Sequence, residues 1–177
     1  MRIKMKTLFL IRHAKSSWDD STLDDHERPL NQRGKANAPI MAKRLQKLGI
    51  KPDMLFSSTA QRASSTAQVF AEHLDFTQPK ISYDPDLYLA SAGMLQDFIG
   101  KIENSLNFVL IFGHNPGLTL LVHQVWGLPI DNIPTCGVVS LKFGSSTWEE
   151  ASSQLPSGAT FDFPKNSSPP ISFLEKN

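Results

Sequence analysis

The chain has 177 residues, 40% of them hydrophobic and 20% charged, with a formal net charge of +1. That length can bury one sizeable core, and the near-neutral charge excludes nucleic-acid or membrane binding driven by bulk electrostatics. The single cysteine, Cys136, excludes an intrachain disulfide framework and fits a reducing compartment, so a cytoplasmic location is expected.

The first residues, MRIKMKTLFLI, place lysines ahead of an apolar run, as a signal peptide does. The run is short, Arg12 ends it, and no small-residue cleavage site follows. Met5 is an alternative start to Met1. No stretch reaches the roughly 20 apolar residues of a membrane span. Thr7 to Ile11 predicts a buried strand. Arg12, His13 and Ala14 then stand at its carboxyl end, where open α/β sheets place ligands. Lys15 to Arg28 is a polar loop that can fold over this strand exit. Its Trp18 and Arg28 are candidate ligand contacts.

Asn31 is a good helix N-cap. Gln32 to Leu48 predicts a helix with Met41, Leu45 and Leu48 on one face and Lys43, Arg44 and Lys47 on the other. Pro39 either kinks it or marks where its regular part begins, and Gly49 terminates it. Asp53 to Ser57 predicts a second strand. Thr59 to Leu74 follows with Ala63, Ala67, Phe70, Ala71 and Leu74 at helical spacing. Arg62 falls in its first turn, where the helix dipole disfavours a cation. Its presence makes sense if an anion binds there.

Lys80 to Tyr83 predicts a strand, and Ala92 to Ile102 a short helix weakened by Gly100. Phe108 to Phe112 is an unbroken apolar run, as in a parallel sheet covered on both faces. It ends at His114, Asn115 and Pro116, and Pro116 suits the first turn of a helix from Gly117 to about Trp126. Cys136 to Phe143 and Thr160 to Phe163 predict the last strands. From Pro164 onward Ser, Pro and Asn dominate, predicting a poorly ordered or surface-draped tail. The organisation is thus one domain over 1–165 with a tail over 166–177.

Alternating strands and helices predict a three-layer α/β/α fold with a mostly parallel central sheet. Right-handed crossovers bring the strand exits to one edge, gathering Arg12, His13, Arg62 and His114. Two arginines can hold phosphoryl oxygens. One histidine can attack phosphorus while the other stabilises charge on the oxygens. Arginine charge keeps the attacking ring neutral, and a bound dianion favours a charged His114. Cys136 is followed by GVVSLK, without the arginine a cysteine-phosphatase loop needs, and reads as a core thiol. His26, His73 and His123 lack metal-ligand spacing, and there is no glycine-rich nucleotide loop. No metal and no cofactor are expected.

The motifs LIRHAKSSW, ERPLNQRG, SSTAQRASSTA, FGHNPGL and PTCGVVSLKF resemble those of the histidine phosphatase superfamily, in particular SixA-type phosphohistidine phosphatases. TWEE followed by FDFPK resembles the family's short C-terminal hairpin. The resemblance covers about Lys6 to Lys165 and implies the phosphoglycerate mutase-like fold. It further implies His13 as a transiently phosphorylated nucleophile, Arg12 and Arg62 as phosphate ligands, and His114 as the second catalytic histidine. Trp18, Arg28 and Asn115 become candidate substrate contacts. The implied substrate is phosphohistidine on a protein, typically the phosphotransfer domain of a sensor kinase, and free phosphate or sulfate fits the same pocket. Mutase-like relatives carry a glutamate acid after the third strand. Here that region reads Asp86-Leu87-Tyr88-Leu89-Ala90, which favours phosphoramidate over alkyl ester hydrolysis; Asp84, Asp86 or Asp19 are substitute acids. The alternatives are a small-molecule phosphomonoesterase and a non-catalytic phosphoprotein-binding module. With no long insertion to form a lid, an open pocket is expected; capping by Lys15 to Arg28 would argue against it.

Overall fold

The computed structural model describes residues 5–76 and 81–173. Its strands are β1 (Lys6–Arg12), β2 (Met54–Ser58), β3 (Ser82–Asp84), β4 (Phe108–Gly113), β5 (Val138–Phe143), β6 (Gly158–Asp162) and β7 (Ile171–Ser172). They form one sheet in the order β3-β2-β4-β1-β5-β6-β7. The β3-β2, β2-β4 and β4-β1 pairings are parallel, and those from β1 through β7 are antiparallel. The parallel core is the half that holds the site.

Strand alternation builds two cores. Leu8, Leu10, Val109 and Ile111 face one side, and Phe9, Ile11, Leu110 and Phe112 the other. Helices α1 (Gln32–Lys47) and α2 (Gln61–His73) cover the second face with Met41, Leu45, Ala67 and Phe70. Helices α3 (Ala92–Gly100), α4 (Gly117–Leu120) and α5 (Trp148–Ser153) cover the first with Leu95, Ile99, Leu118 and Trp148. Each fully buried Leu, Ile or Phe contributes about 1.5–3 kcal/mol through burial, and together these two faces make the three layers.

The structure shifts several expectations. Pro39 lies inside α1 without ending it, and Asn31 accepts a bond from the Gly34 amide at 2.9 Å as the expected cap. Gly34 is required there: a Cβ would stand 2.2 Å from the Lys15 carbonyl oxygen. Beyond α4 the chain continues as a π-helical stretch, Leu121–Val125. Cys136 lies before β5, at φ 62°, because its amide turns back onto the Arg12 and His13 carbonyls at 3.0 and 3.1 Å. β3 starts at Ser82, and Lys80 lies outside the described residues. TWEE begins helix α5 rather than a hairpin, since the Thr147 side chain caps the Glu150 amide. Of the tail, residues 166–173 are described: they are draped on the surface, yet Ile171–Ser172 extends the sheet past residue 165 by pairing with β6. Among the described residues no helix is long and apolar enough to cross a membrane.

Candidate active site

The register aligns Arg12 with Gly113, and Ser57 with Phe112. β1, β2 and β4 therefore end together, and the next residues of β1 and β4 are His13 and His114. Their ring centroids lie 5.0 Å apart. Around them is a cleft of about 300 Å³ lined by Arg12, His13, Lys15, Arg28, Arg62, His114 and neighbouring residues. All four residues expected at the sheet edge are brought together.

Local bonds set each role. His13 Nδ1–H donates to the Ala14 carbonyl at 2.7 Å. The neutral ring then carries its lone pair on Nε2, where Arg62 Nε–H donates to it at 3.3 Å. Arg62, only 2% exposed, is held by Asp25: its Nη1 donates to the Asp25 carbonyl and its Nη2 to Oδ2 at 2.8 Å. Asp25 Oδ2 also accepts from the Tyr88 hydroxyl at 2.7 Å, and Oδ1 pairs with Arg28 at 3.0 Å. The Arg28 guanidinium carbon lies over the Trp18 ring, 3.4 Å from its centroid. His114 Nε2 meets Ser58 Oγ at 2.8 Å.

The electrostatics follow from burial beside cations. Burial, reinforced by Arg62, Arg12 and Arg28, lowers the His13 ring to about 4 against the opposing Ala14 bond. Burial, His13 and Arg62 lower His114 to about 3. Burial works against the Asp25 charge, but the Tyr88 hydroxyl, Arg62 and Arg28 overcome it and hold the carboxyl down at about 2. Both rings are neutral and Asp25 is ionised near neutral pH. Among the described residues, the buried side-chain nitrogens without a partner are Arg12 Nε, Arg28 Nε and Nη1, His114 Nδ1 and Trp126 Nε1. All but the last belong to cleft residues. Such groups are costly unless something pairs with them, and an oxyanion suits nearly all of them.

The other expectations divide. Trp18 stands at the rim, 71% exposed. Asn115 lines the cleft, but its amide is spent on Asn132, Ile133 and Thr119, so it shapes the wall. The loop from Lys15 to Arg28 forms one wall, its base closed by a bridge between Ser16 and Leu30. Asp84 and Asp86 line a different cavity, and Asp19 is not in the cleft wall. His26, His73 and His123 bond Thr59, Val69 and Leu128 outside it. Among the described residues, no three His, Cys, Asp or Glu side chains group to hold a metal. Burial pushes the Cys136 thiol up to about 12, as fits a core thiol. Sequence reasoning missed Asp25 and Ser58. Ser58 follows the same strand-exit rule as the histidines; Asp25 carries no periodic signal.

Residues 8–98 match the model of the histidine phosphatase superfamily, branch 1. An uncharacterized chloroplast protein of Arabidopsis thaliana is 33% identical over 154 residues, 82% of this chain and 70% of that one. A solved structure from Agrobacterium tumefaciens, assigned as the phosphohistidine phosphatase SixA, superposes with a TM-score of 0.71 at 28% identity, covering 78% of this chain and 92% of that one. The protein histidine phosphatase SixA in complex with tungstate shares the fold at 21% identity, with a TM-score of 0.72 over 89% of this chain and 94% of that one.

Proposed function

We propose, for a chain that belongs to the histidine phosphatase superfamily (branch 1), that it is a phosphatase working through a phospho-His13 intermediate. Its proposed substrate is phosphohistidine on a protein such as the phosphotransfer domain of a sensor kinase. The observation that carries this reading is the His13 tautomer: Nδ1–H is committed to the Ala14 carbonyl, so the Nε2 lone pair faces the arginine-lined cleft. A neutral nucleophile among cations is what attack on a phosphoryl dianion requires.

In this mechanism Arg12 and Arg62 hold the phosphoryl oxygens. His13 Nε2 bonds to phosphorus as the substrate's N–P bond breaks, and the departing ring keeps that electron pair. The substrate's histidine leaves as neutral imidazole when its other ring nitrogen carries a proton, so no acid is needed at the departing atom. With Ser58 Oγ–H donating to Nε2, the His114 Nδ1–H is free for a phosphoryl oxygen. Water then attacks phosphorus as the His13 N–P bond breaks; the ring recovers the bond pair, and both water protons leave with the phosphate as dihydrogen phosphate. The one carboxylate in the cleft wall, Asp25, is ionised, which disfavours alkoxide leaving groups. The reading includes a metal-independent reaction and a cytoplasmic location, the latter fitting a single buried thiol.

The test is phosphate release from a histidine-phosphorylated phosphotransfer domain, with and without EDTA, beside p-nitrophenyl phosphate and the His13→Ala variant. Release that survives EDTA and disappears in the variant supports the reading. Hydrolysis of the aryl ester alone overturns the protein substrate in favour of a small-molecule phosphomonoesterase. Tight phosphoprotein binding without release makes the chain a binding module.

A further inference from the structure

Among the described residues, three non-glycine residues hold a left-handed backbone: Asp75, Leu89 and Cys136. That conformation is uncommon outside glycine and is best tolerated by Asn and Asp. Asp75 is a tolerant residue type, and Cys136 is held by its amide bonds to the Arg12 and His13 carbonyls. Leu89 has no such account. At φ 49° it is the wrong residue for its backbone, and at 54% exposed it gains little from burial. Folding alone favours Asn or Gly here.

Its neighbours are packed tightly. Leu87 and Ala90 are buried on either side, and the Ala90 carbonyl lies where a Cβ on Gly117 would stand, 1.9 Å away. The chain is thus clamped and Leu89 is projected outward, into the wall of the same cleft as His13 and His114. Among the described residues with large exposed hydrophobic side chains, Leu89 and Trp18 are the two in that wall. They come from separate segments, and Trp18 packs against the Arg28 guanidinium. Strain kept at a functional site, with an exposed apolar side chain as its product, indicates a contact made by substrate.

We propose that Leu89 is a specificity-determining residue: with Trp18 it forms an apolar grip on the protein surface surrounding the phosphohistidine. This rests on the protein-substrate reading above. A phosphorylated metabolite offers no such surface, so the grip would separate protein from small-molecule substrates by KM.

The experiment compares wild type, Leu89→Asn and Leu89→Met on a histidine-phosphorylated phosphotransfer domain and on phosphoramidate, with Tm measured for each. Asn relieves the backbone and removes the apolar contact; Met keeps the contact. For Leu89→Asn the expected results are a Tm raised by about 2–4 °C and a KM for the phosphoprotein raised about ten-fold. The loss of kcat/KM should be several-fold larger on the phosphoprotein than on phosphoramidate, and Leu89→Met should stay within about two-fold of wild type on both. A fall in Tm with equal losses on both substrates makes Leu89 structural and overturns the grip, as does an unchanged KM for the phosphoprotein. Phosphoramidate turnover by a wild type that never releases phosphate from the phosphoprotein overturns the substrate reading, and the grip with it.

Discussion

Two cavities of this molecule make an instructive pair. The larger, about 680 Å³, lies at the outer edge of the parallel sheet between β2, β3 and α3; its floor includes Met54, Phe56, Phe98 and Leu106. Asp84, Asp86, Asp97 and Glu103 line it beside one cation, Lys101. The smaller, about 300 Å³, holds Arg12, Lys15, Arg28 and Arg62 with one carboxylate, Asp25. Volume would select the first and chemistry selects the second. Only the smaller sits where β1, β2 and β4 end together, and it holds most of the buried nitrogens that lack a partner. A phosphoryl dianion would be repelled by the first and bound by the second.

The largest effect that would break this contrast is at the nucleophile. His13→Ala should lower phosphate release by about 10⁴-fold or more with the circular dichroism spectrum unchanged; residual turnover within ten-fold of wild type would remove His13 from the chemistry. Next is the one carboxylate of the cationic cleft. Asp25 orients Arg62 but also opposes an incoming dianion. Asp25→Asn keeps an acceptor for Arg62 and removes the charge, so KM should fall several-fold while kcat falls about ten-fold. A rise in KM with kcat intact would mean that Asp25 contacts substrate directly.

How much of this was legible in the residues depends on how local each signal was. Arg12, His13 and His114 follow apolar runs whose five or six residues announce a buried strand without help from the rest of the chain. Arg62 is out of place in its own helix by charge alone. Asp25 is different. It belongs to a 3-10 turn, Asp25–Glu27, in an aperiodic loop, and its position is fixed by the distant bridge between Ser16 and Leu30 and by the Ser17 amide on the Pro29 carbonyl. Those contacts follow no periodic pattern that the residues of the loop announce. Helix α5 was readable and missed: Thr147 and Glu150 form the Thr-x-x-Glu spacing of a helix start, but six residues are too few for an apolar stripe. Leu89 gave no warning either, because backbone strain appears only once Leu87 and Ala90 are buried around it.

A smaller effect sharpens the contrast through pH. His13 and His114 ionise in the folded cleft only near pH 4 and 3, against 6.5 as the ordinary value. Between these values the unfolded chain binds more protons, so stability should fall as pH drops from about 7 toward 4. For His13 alone this is of order 3 kcal/mol. Asp25, held at about 2, adds its loss only below that window. Tm measured from pH 7.5 to 4.5 should decline, His13→Asn should flatten the decline, and inorganic phosphate should lessen it by stabilising the charged rings. A pH-independent Tm would mean that both rings take up protons in the folded protein as they do in the unfolded chain.

The smallest expected effect is in the larger cavity, and it decides what supplies protons. Asp84 ends the third strand and Asp86 follows it, where mutase-like relatives place an acid, so their sequence position alone makes them candidates. Their structural position does not: both line the acidic cavity, and the Asp84 carboxylate is occupied in capping the Asp86 amide at 2.8 Å. Asp84→Asn keeps that local geometry because an amide oxygen still accepts the bond, and Asp86→Asn leaves the donating backbone N–H in place. Each should leave kcat and KM for the phosphoprotein within about two-fold of wild type. Tested on p-nitrophenyl phosphate, whose leaving group needs little protonation, they should again change nothing. On an alkyl phosphate ester the wild type should already be slow, since no protonated carboxyl faces the scissile bond. A hundred-fold drop in either variant would bring this acidic edge into the reaction and erase the distinction between the two cavities.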